Sequence, residues 1–265
     1  MNRPQFSDQR SDSAEYLKRK VFFDQLITVY GRKPVLEILE DTKLDIYRLH
    51  LADSNRGGGI IDQIKHLAQQ RNIEILYHNR SQLARISRNS KQDQGVACDI
   101  HCPGYQPYEQ AIDSLITGDP KVLVAIDGVT NPQNLGMIIR SVTASPCYGL
   151  LLPTKGVAEI SSLVIKASAG TVFKGTILRC DSLHSALKNL QQQGFKLCML
   201  SSHNATPLAD ISRDQSLVYI LGNESDGVSE SIASLCDYRV GIEMNNGVES
   251  LNVAVTAALV AFNTL

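Results

Sequence analysis

The sequence predicts an α/β protein of two domains, the second built on a largely parallel sheet. Two observations carry this. Short apolar runs rich in Val, Ile and Leu alternate with segments of helical periodicity along most of the chain, the pattern of βαβ units. A cluster of breakers, Pro103, Gly104, Pro107, Gly118 and Pro120, interrupts that alternation once, near residue 110. The 265 residues also suit two domains of about 100–150 residues each.

In order along the chain, a polar stretch predicts a flexible tail over residues 1–20, disordered to about Ser13. A small α/β domain follows over 21–102, with helices expected at 34–40 and 60–71 and strands at 46–51, 73–77 and 95–100. Residues 103–118 read as linker, and 119–265 as the second domain. Its expected strands are 121–126, 149–152, 195–200, 217–221 and 238–242, before a last helix from about Ser250 that is apolar nearly all round and so expected to be buried. Gly57, Gly58 and Gly59 precede no Lys-Ser or Lys-Thr pair and read as a loop, not a phosphate-binding turn.

Composition narrows the function. No apolar run approaches the roughly 20 residues needed to span a bilayer, and the first twenty residues mix Arg3, Arg10 and Lys18 with Asp8, Asp12 and Glu15, so the cytoplasm is the expected location. Cys98 and Cys102 flank His101 without a second ligand pair, which predicts free thiols and no metal. A net charge of −1 gives no overall case for a nucleic-acid partner, so such a case rests on local patches. Arg80, Arg85, Arg88 and Lys91, with Arg71 nearby, form one cationic segment, readable as a phosphate footprint or as a solvated helix face.

In open parallel sheets, ligands bind beyond the carboxyl ends of the strands, and three loops there are unusual. After strand 121–126, Thr130 or Asn131 is placed to cap a helix whose first residue is Pro132. Leu135, Ile138, Ile139 and Val142 give that helix a buried stripe, and Arg140 lies roughly 140° from Leu135. After strand 217–221, Gly222, Asn223, Glu224, Asp226 and Gly227 make either a ligand loop or an ordinary turn. After strand 238–242, Ser250 is placed to cap the last helix, with Asn252 in its first turn as capping partner or site residue.

Taken together these loops resemble the three motifs of the SpoU, or TrmH-like, RNA ribose 2′-O-methyltransferases: Asn134 with Arg140, then Gly222-Asn223-Glu224, then Ser250 to Val253. Segments 29–37 and 94–97 resemble the ends of that family's small RNA-binding domain. The chain departs from the family pattern at Glu243, where proline is usual, at Asn246, where glycine is usual and Gly247 comes one place later, and at Ser225-Asp226.

The resemblance implies a deep trefoil knot of the SPOUT kind in the C-terminal domain and S-adenosylmethionine as cofactor, held by Gly222, Asn223, Ile242, Met244 and Leu251. It further implies Arg140, Asn134, Glu224, Ser250 and Asn252 as catalytic residues, with no metal. The implied substrate is RNA, ribosomal RNA ahead of transfer RNA, and the implied assembly is a homodimer. General rules of chain topology argue against knots, so that expectation comes from the resemblance alone. A Rossmann-type oxidoreductase is disfavoured because neither domain has a Gly-x-Gly-x-x-Gly turn after its first strand. A non-catalytic RNA-binding module stands as the other alternative.

Overall fold

The computed structural model describes residues 14–202, 205–212 and 214–263. It begins with α1 (Ala14–Asp24), which overlaps the segment 1–20 expected to be tail; the disorder expected to about Ser13 falls outside the described residues. The N-terminal domain then runs β1 (Leu26–Tyr30), α2 (Arg32–Glu40), β2 (Ile46–Ala52), α3 (Ile60–Gln70), β3 (Glu74–His78), α4 (Arg80–Ser87) and β4 (Val96–His101). Its four-stranded sheet has the order β1-β4-β2-β3, with β2 and β3 parallel and β4 antiparallel to both β1 and β2.

Alternation sets the two faces of this sheet. Ile27, Val29, Leu49, Leu51, Cys98 and Ile100 turn to the side of α2 and α3, and all are buried. Thr28, His50 and Asp99 lie on the other side, where Asp99 accepts from Thr28 Oγ1 at 2.6 Å and meets His50 Nε2 at 3.0 Å.

The stretch expected to be linker is instead structured. β5 (Tyr105–Pro107) pairs with a strand of the second sheet and leads directly into α5 (Tyr108–Ile116). The breakers have local uses here: Gly104 passes so close to Gly175 that a Cβ would sit 2.4 Å from its carbonyl oxygen, and Pro107 ends an edge strand at a helix N-terminus.

The second domain continues with β6 (Val122–Ile126), α6 (Pro132–Ala144), β7 (Gly149–Pro153), α7 (Ser162–Ala167), β8 (Ile177–Cys180), α8 (Leu183–Gln192), β9 (Lys196–Leu200), β10 (Thr206–Pro207), β11 (Leu217–Leu221), α9 (Glu230–Ala233), β12 (Tyr238–Gly241) and α10 (Val253–Phe262). Its eight strands pair in parallel throughout, in the order β10-β12-β9-β11-β6-β7-β8-β5. Val124, Ile126, Tyr219 and Leu221 face α6 and α10, while Leu123, Ala125, Val218 and Ile220 face α5 and α8. Both faces are covered, as a parallel sheet requires.

Two expectations about α10 need correction. Its N-cap is Asn252, whose side chain accepts from Ala254 N at 2.9 Å, so Ser250 lies outside the helix and is exposed. Nor is the helix wholly buried. Val253, Ala254, Ala257, Val260 and Ala261 pack inward, but Val255, Leu259 and Phe262 form an exposed stripe at i, i+4 and i+7.

Candidate functional site

The carboxyl ends of β6, β9, β11 and β12 open on one side of the sheet, and the loops that leave them meet there. Of the two residues placed to cap α6, Thr130 and Asn131, it is Asn131 that does so, accepting from Gln133 N at 2.8 Å with Pro132 at the first helical position. This fixes the first turn of α6 and turns Asn134 inward, where it is 6% exposed. A buried amide needs partners. Asn134 donates through Nδ2 to Glu224 Oε1 and accepts through Oδ1 from Asn252 Nδ2 at 3.2 Å. One side chain therefore joins all three loops.

The loop after β11 is tightly folded. Asn223 and Gly227 exchange backbone hydrogen bonds at 3.2 and 3.1 Å, and Asn223 Oδ1 accepts from Ser225 N and Asp226 N. Gly222 lies so close to the returning strand that a Cβ there would come within 1.9 Å of the Gly227 carbonyl carbon. A second tie, absent from the sequence reading, runs from Ser229 N to Asp127 Oδ2 at 2.8 Å and holds this loop to the one after β6. Its residue types are ordinary turn formers, so only proximity reveals it. The departure in the third loop also has a reason. Asn246 and Gly247 both have positive φ, 58° and 72°, and asparagine is among the few non-glycine residues that tolerate the left-handed region.

These loops enclose a cleft of about 680 Å³. Gly222, Asn223, Ile242, Met244 and Leu251, the residues expected to hold a cofactor, all line it, and so do Glu224, Ser250 and Asn252. Asn134 stands behind this wall and reaches the cleft through its two partners. The sequence reading missed Met199, Leu200 and Glu249, which also line the cleft and carried no motif signal. Glu224, Asp226 and Glu249 give the described wall three carboxylates, and it contains no lysine or arginine. Leu200, Leu221, Ile242 and Leu251 supply apolar surface beside them. Such a wall suits a ligand with a flat apolar part and a positive charge.

Arg140 does not join this group. It is exposed on α6, outside the cleft wall, and no hydrogen bond or ion pair links its side chain to another described residue. Met137 is 41% exposed on the same helix.

In the N-terminal domain, Arg80, Arg85, Arg88 and Lys91 are exposed. Arg71 is not free for phosphate. Its guanidinium donates to the carbonyls of Ile38, Leu39, Asp41 and Leu44, clamping the end of α2 and the turn after it. Cys98 and Cys102 are buried thiols, and burial pushes Cys102 up to about 12. Gly58 and Gly59 sit in a positive-φ loop that leads into α3. Among the described residues there is no group of His, Cys, Asp and Glu arranged to hold a metal ion, and no helix is long and apolar enough to cross a membrane.

Comparison with known proteins bears on both domains. Residues 28–106 match the domain described as RNA 2′-O ribose methyltransferase substrate binding, and residues 121–262 match the SpoU rRNA methylase family. An uncharacterized tRNA/rRNA methyltransferase of Mycobacterium ulcerans is 30% identical over 237 residues, which cover 89% of this chain and 76% of that one. Its counterpart in Mycobacterium sp. (strain KMS) is 31% identical over 241 residues, 89% and 75% of the two chains.

Among solved structures, the AdoMet-bound rRNA methyltransferase of Sinorhizobium meliloti has a TM-score of 0.61 at 20% identity, covering 95% of this chain and 90% of that one. The SpoU methyltransferase AviRb of Streptomyces viridochromogenes, in complex with AdoMet, has a TM-score of 0.60 at 20% identity, covering 95% and 92%. These two are likenesses of fold. The family match spans the parallel-sheet domain that carries all three loops and the cleft between them, and on that ground the chain belongs to the SpoU rRNA methylase family.

Proposed function

We propose that this protein methylates a ribose 2′-hydroxyl of RNA, using S-adenosylmethionine bound in the cleft beside Gly222 and Leu251. The observation that carries the reading is the union of Asn134, Glu224 and Asn252 at the rim of a cleft whose described wall carries three carboxylates. A sulfonium and an amino group both carry positive charge, and the wall of Glu224, Asp226 and Glu249 complements them, while Leu200, Ile242 and Leu251 offer an apolar seat for a purine. The knotted threading of the C-terminal chain and a cytoplasmic location, where ribosomes and transfer RNA are found, belong to the same reading.

S-adenosylmethionine supplies, when bound, a methyl group on a sulfonium for in-line displacement by oxygen. The protein's residues must align the hydroxyl and stabilise charge as its proton leaves. Asn134 holds the carboxylate of Glu224 and the N-cap residue of α10 in register, so the cleft rim is preorganised. Arg140 is assigned to the hydroxyl. An arginine does not give up its proton, so it acts as a donor to the developing alkoxide or the adjoining phosphate, and the proton leaves to phosphate or water.

Arg140 lies away from its own chain's cleft, so this role requires a second copy. Val255, Leu259 and Phe262 on α10, with Met137 on α6, offer an apolar face for a two-fold partner. We therefore read the protein as a homodimer in which Arg140 serves the partner's cleft. Large-subunit ribosomal RNA is the first candidate substrate and transfer RNA the second.

The test is transfer of label from methyl-labelled S-adenosylmethionine to ribosomal and transfer RNA, followed by alkaline hydrolysis. A 2′-O-methyl group protects the adjacent phosphodiester, so label is expected in alkali-resistant dinucleotides. Label found only in mononucleotides, or none in either RNA, would overturn the reading.

A further inference from the structure

Helix α1 lies outside both matched segments, which cover residues 28–106 and 121–262. It carries Lys18, Arg19 and Lys20, all exposed, followed by Val21 and Phe23, which are 39% and 46% exposed. Large exposed apolar side chains next to a basic triplet need a reason, and attachment of the helix does not supply one. Phe22 is the anchor: its ring lies 4.8 Å from that of Tyr47 and is stacked 5.0 Å from that of His101. At the helix C-terminus Arg179 of β8 donates to the carbonyl of Asp24 at 2.6 Å, with its guanidinium 4.5 Å from the Tyr105 ring centre. Thus α1 is fastened to both domains; Phe23 joins the aromatic cluster edge-on, 5.7 Å from Phe22 and 6.1 Å from Tyr47, and is still 46% exposed.

Phe23 also lines a cleft of about 500 Å³ between the domains. Arg85 and Arg88 line it too, and neither side chain has a hydrogen bond or ion pair to another described residue. Arg88 ends α4 as its left-handed C-cap at φ 53°. Three carboxylates share the cleft. Asp24 lies 3.9 Å from Arg179, and Asp99 and Glu159 share the wall with Arg85 and Arg88, so the cleft itself balances three arginines with three carboxylates. The surplus of positive charge lies on the exposed triplet of α1, beside the partly exposed Phe23 ring.

We propose that α1 and this cleft bind an unpaired stretch of RNA, with Lys18, Arg19, Lys20, Arg85 and Arg88 on its phosphates and the Phe23 ring stacked on a base. The proposal rests on reading the protein as an RNA methyltransferase; Arg85 and Arg88 lie inside the matched substrate-binding segment, and α1 adds a contact outside it. Single strands fit because they expose base faces to an aromatic ring, whereas a duplex buries them.

The probe is a fluorescent oligouridine of roughly 12 nucleotides, within the usual site size of single-strand binders. Phe23→Leu keeps the apolar volume and removes the ring, and is expected to weaken binding about fivefold or more, with Phe23→Trp restoring it. Replacing Lys18, Arg19 and Lys20 by serine is expected to lower the slope of log affinity against log salt by about 2. Calorimetric affinity for S-adenosylmethionine should not change in either variant.

The inference falls if the parent protein does not bind oligouridine below about 100 µM, or if Phe23→Leu and the triple variant both bind like the parent. Unchanged binding with an altered sedimentation coefficient would assign this face to a second copy and equally overturn it. Because the readout is binding, loss of the methyl-transfer reading and loss of this contact remain distinguishable.

Discussion

Asn252 donates its side-chain amide to the carbonyl oxygen of Asn134, 3.2 Å away and 118 residues earlier in the chain. Asn134 passes the connection on to Glu224, so two helix N-termini and one strand-end loop share a single hydrogen-bonded group. Changing Asn134 to Asp removes the donor and sets two carboxylates against each other. Asn134→Asp should destabilise the protein by about 1–3 kcal/mol and abolish methylation. Adding Glu224→Gln restores a donor to the pair, and denaturant unfolding should then recover most of the lost stability. No recovery in the double variant would mean that the pair is not coupled in solution.

Arg140 separates a surface residue from a catalytic one. Arg140→Ala should alter stability by no more than about 0.5 kcal/mol, leave S-adenosylmethionine affinity unchanged, and lower the methylation rate roughly 100-fold, as loss of an oxyanion donor does. Arg140→Lys keeps the charge and loses the planar fork, so its rate shows whether charge alone suffices. A wild-type rate in Arg140→Ala would remove Arg140 from the mechanism.

The exposed stripe on α10 makes a separate prediction about assembly. Leu259→Glu introduces a charge on a solvent-facing position of the monomer, where it should cost little stability. Sedimentation should show conversion from dimer to monomer, with methylation lost and S-adenosylmethionine binding altered far less. If Leu259→Glu sediments like the parent, the stripe is not the interface.

Arg71 should behave differently from the other cations of its domain. It donates to four backbone carbonyls, most of them partly buried, so Arg71→Met removes the charge-assisted clamp and should cost about 1–3 kcal/mol of stability. The salt dependence of RNA affinity, measured well below the unfolding midpoint, should not change. A reduced salt slope would restore Arg71 to the phosphate footprint.

Local signals in the chain determined the two α/β units, a cap at Thr130 or Asn131, the buried stripe of α6 and the three loops at strand ends, because capping, periodicity and turn chemistry act over a few residues. They misread residues 103–118 as linker. Pro and Gly mark breaks in any chain, but only the neighbouring strand β8 and the close approach of Gly175 make this break an edge strand. They also could not show that Asn252 rather than Ser250 caps α10, since both residue types are good caps one turn or less apart.

Three outcomes were decided by tertiary structure alone. Arg71 became a carbonyl clamp, Asn134 met partners 90 and 118 residues away, and Arg140 was left outside the cleft of its own chain. The reason is common to all three. Each side chain's role depends on groups that are distant in sequence: the pairing of β6, β9, β11 and β12 gathers the loops around Asn134, and the packing of α3 on α2 brings Arg71 to its carbonyls, neither of which any one segment specifies.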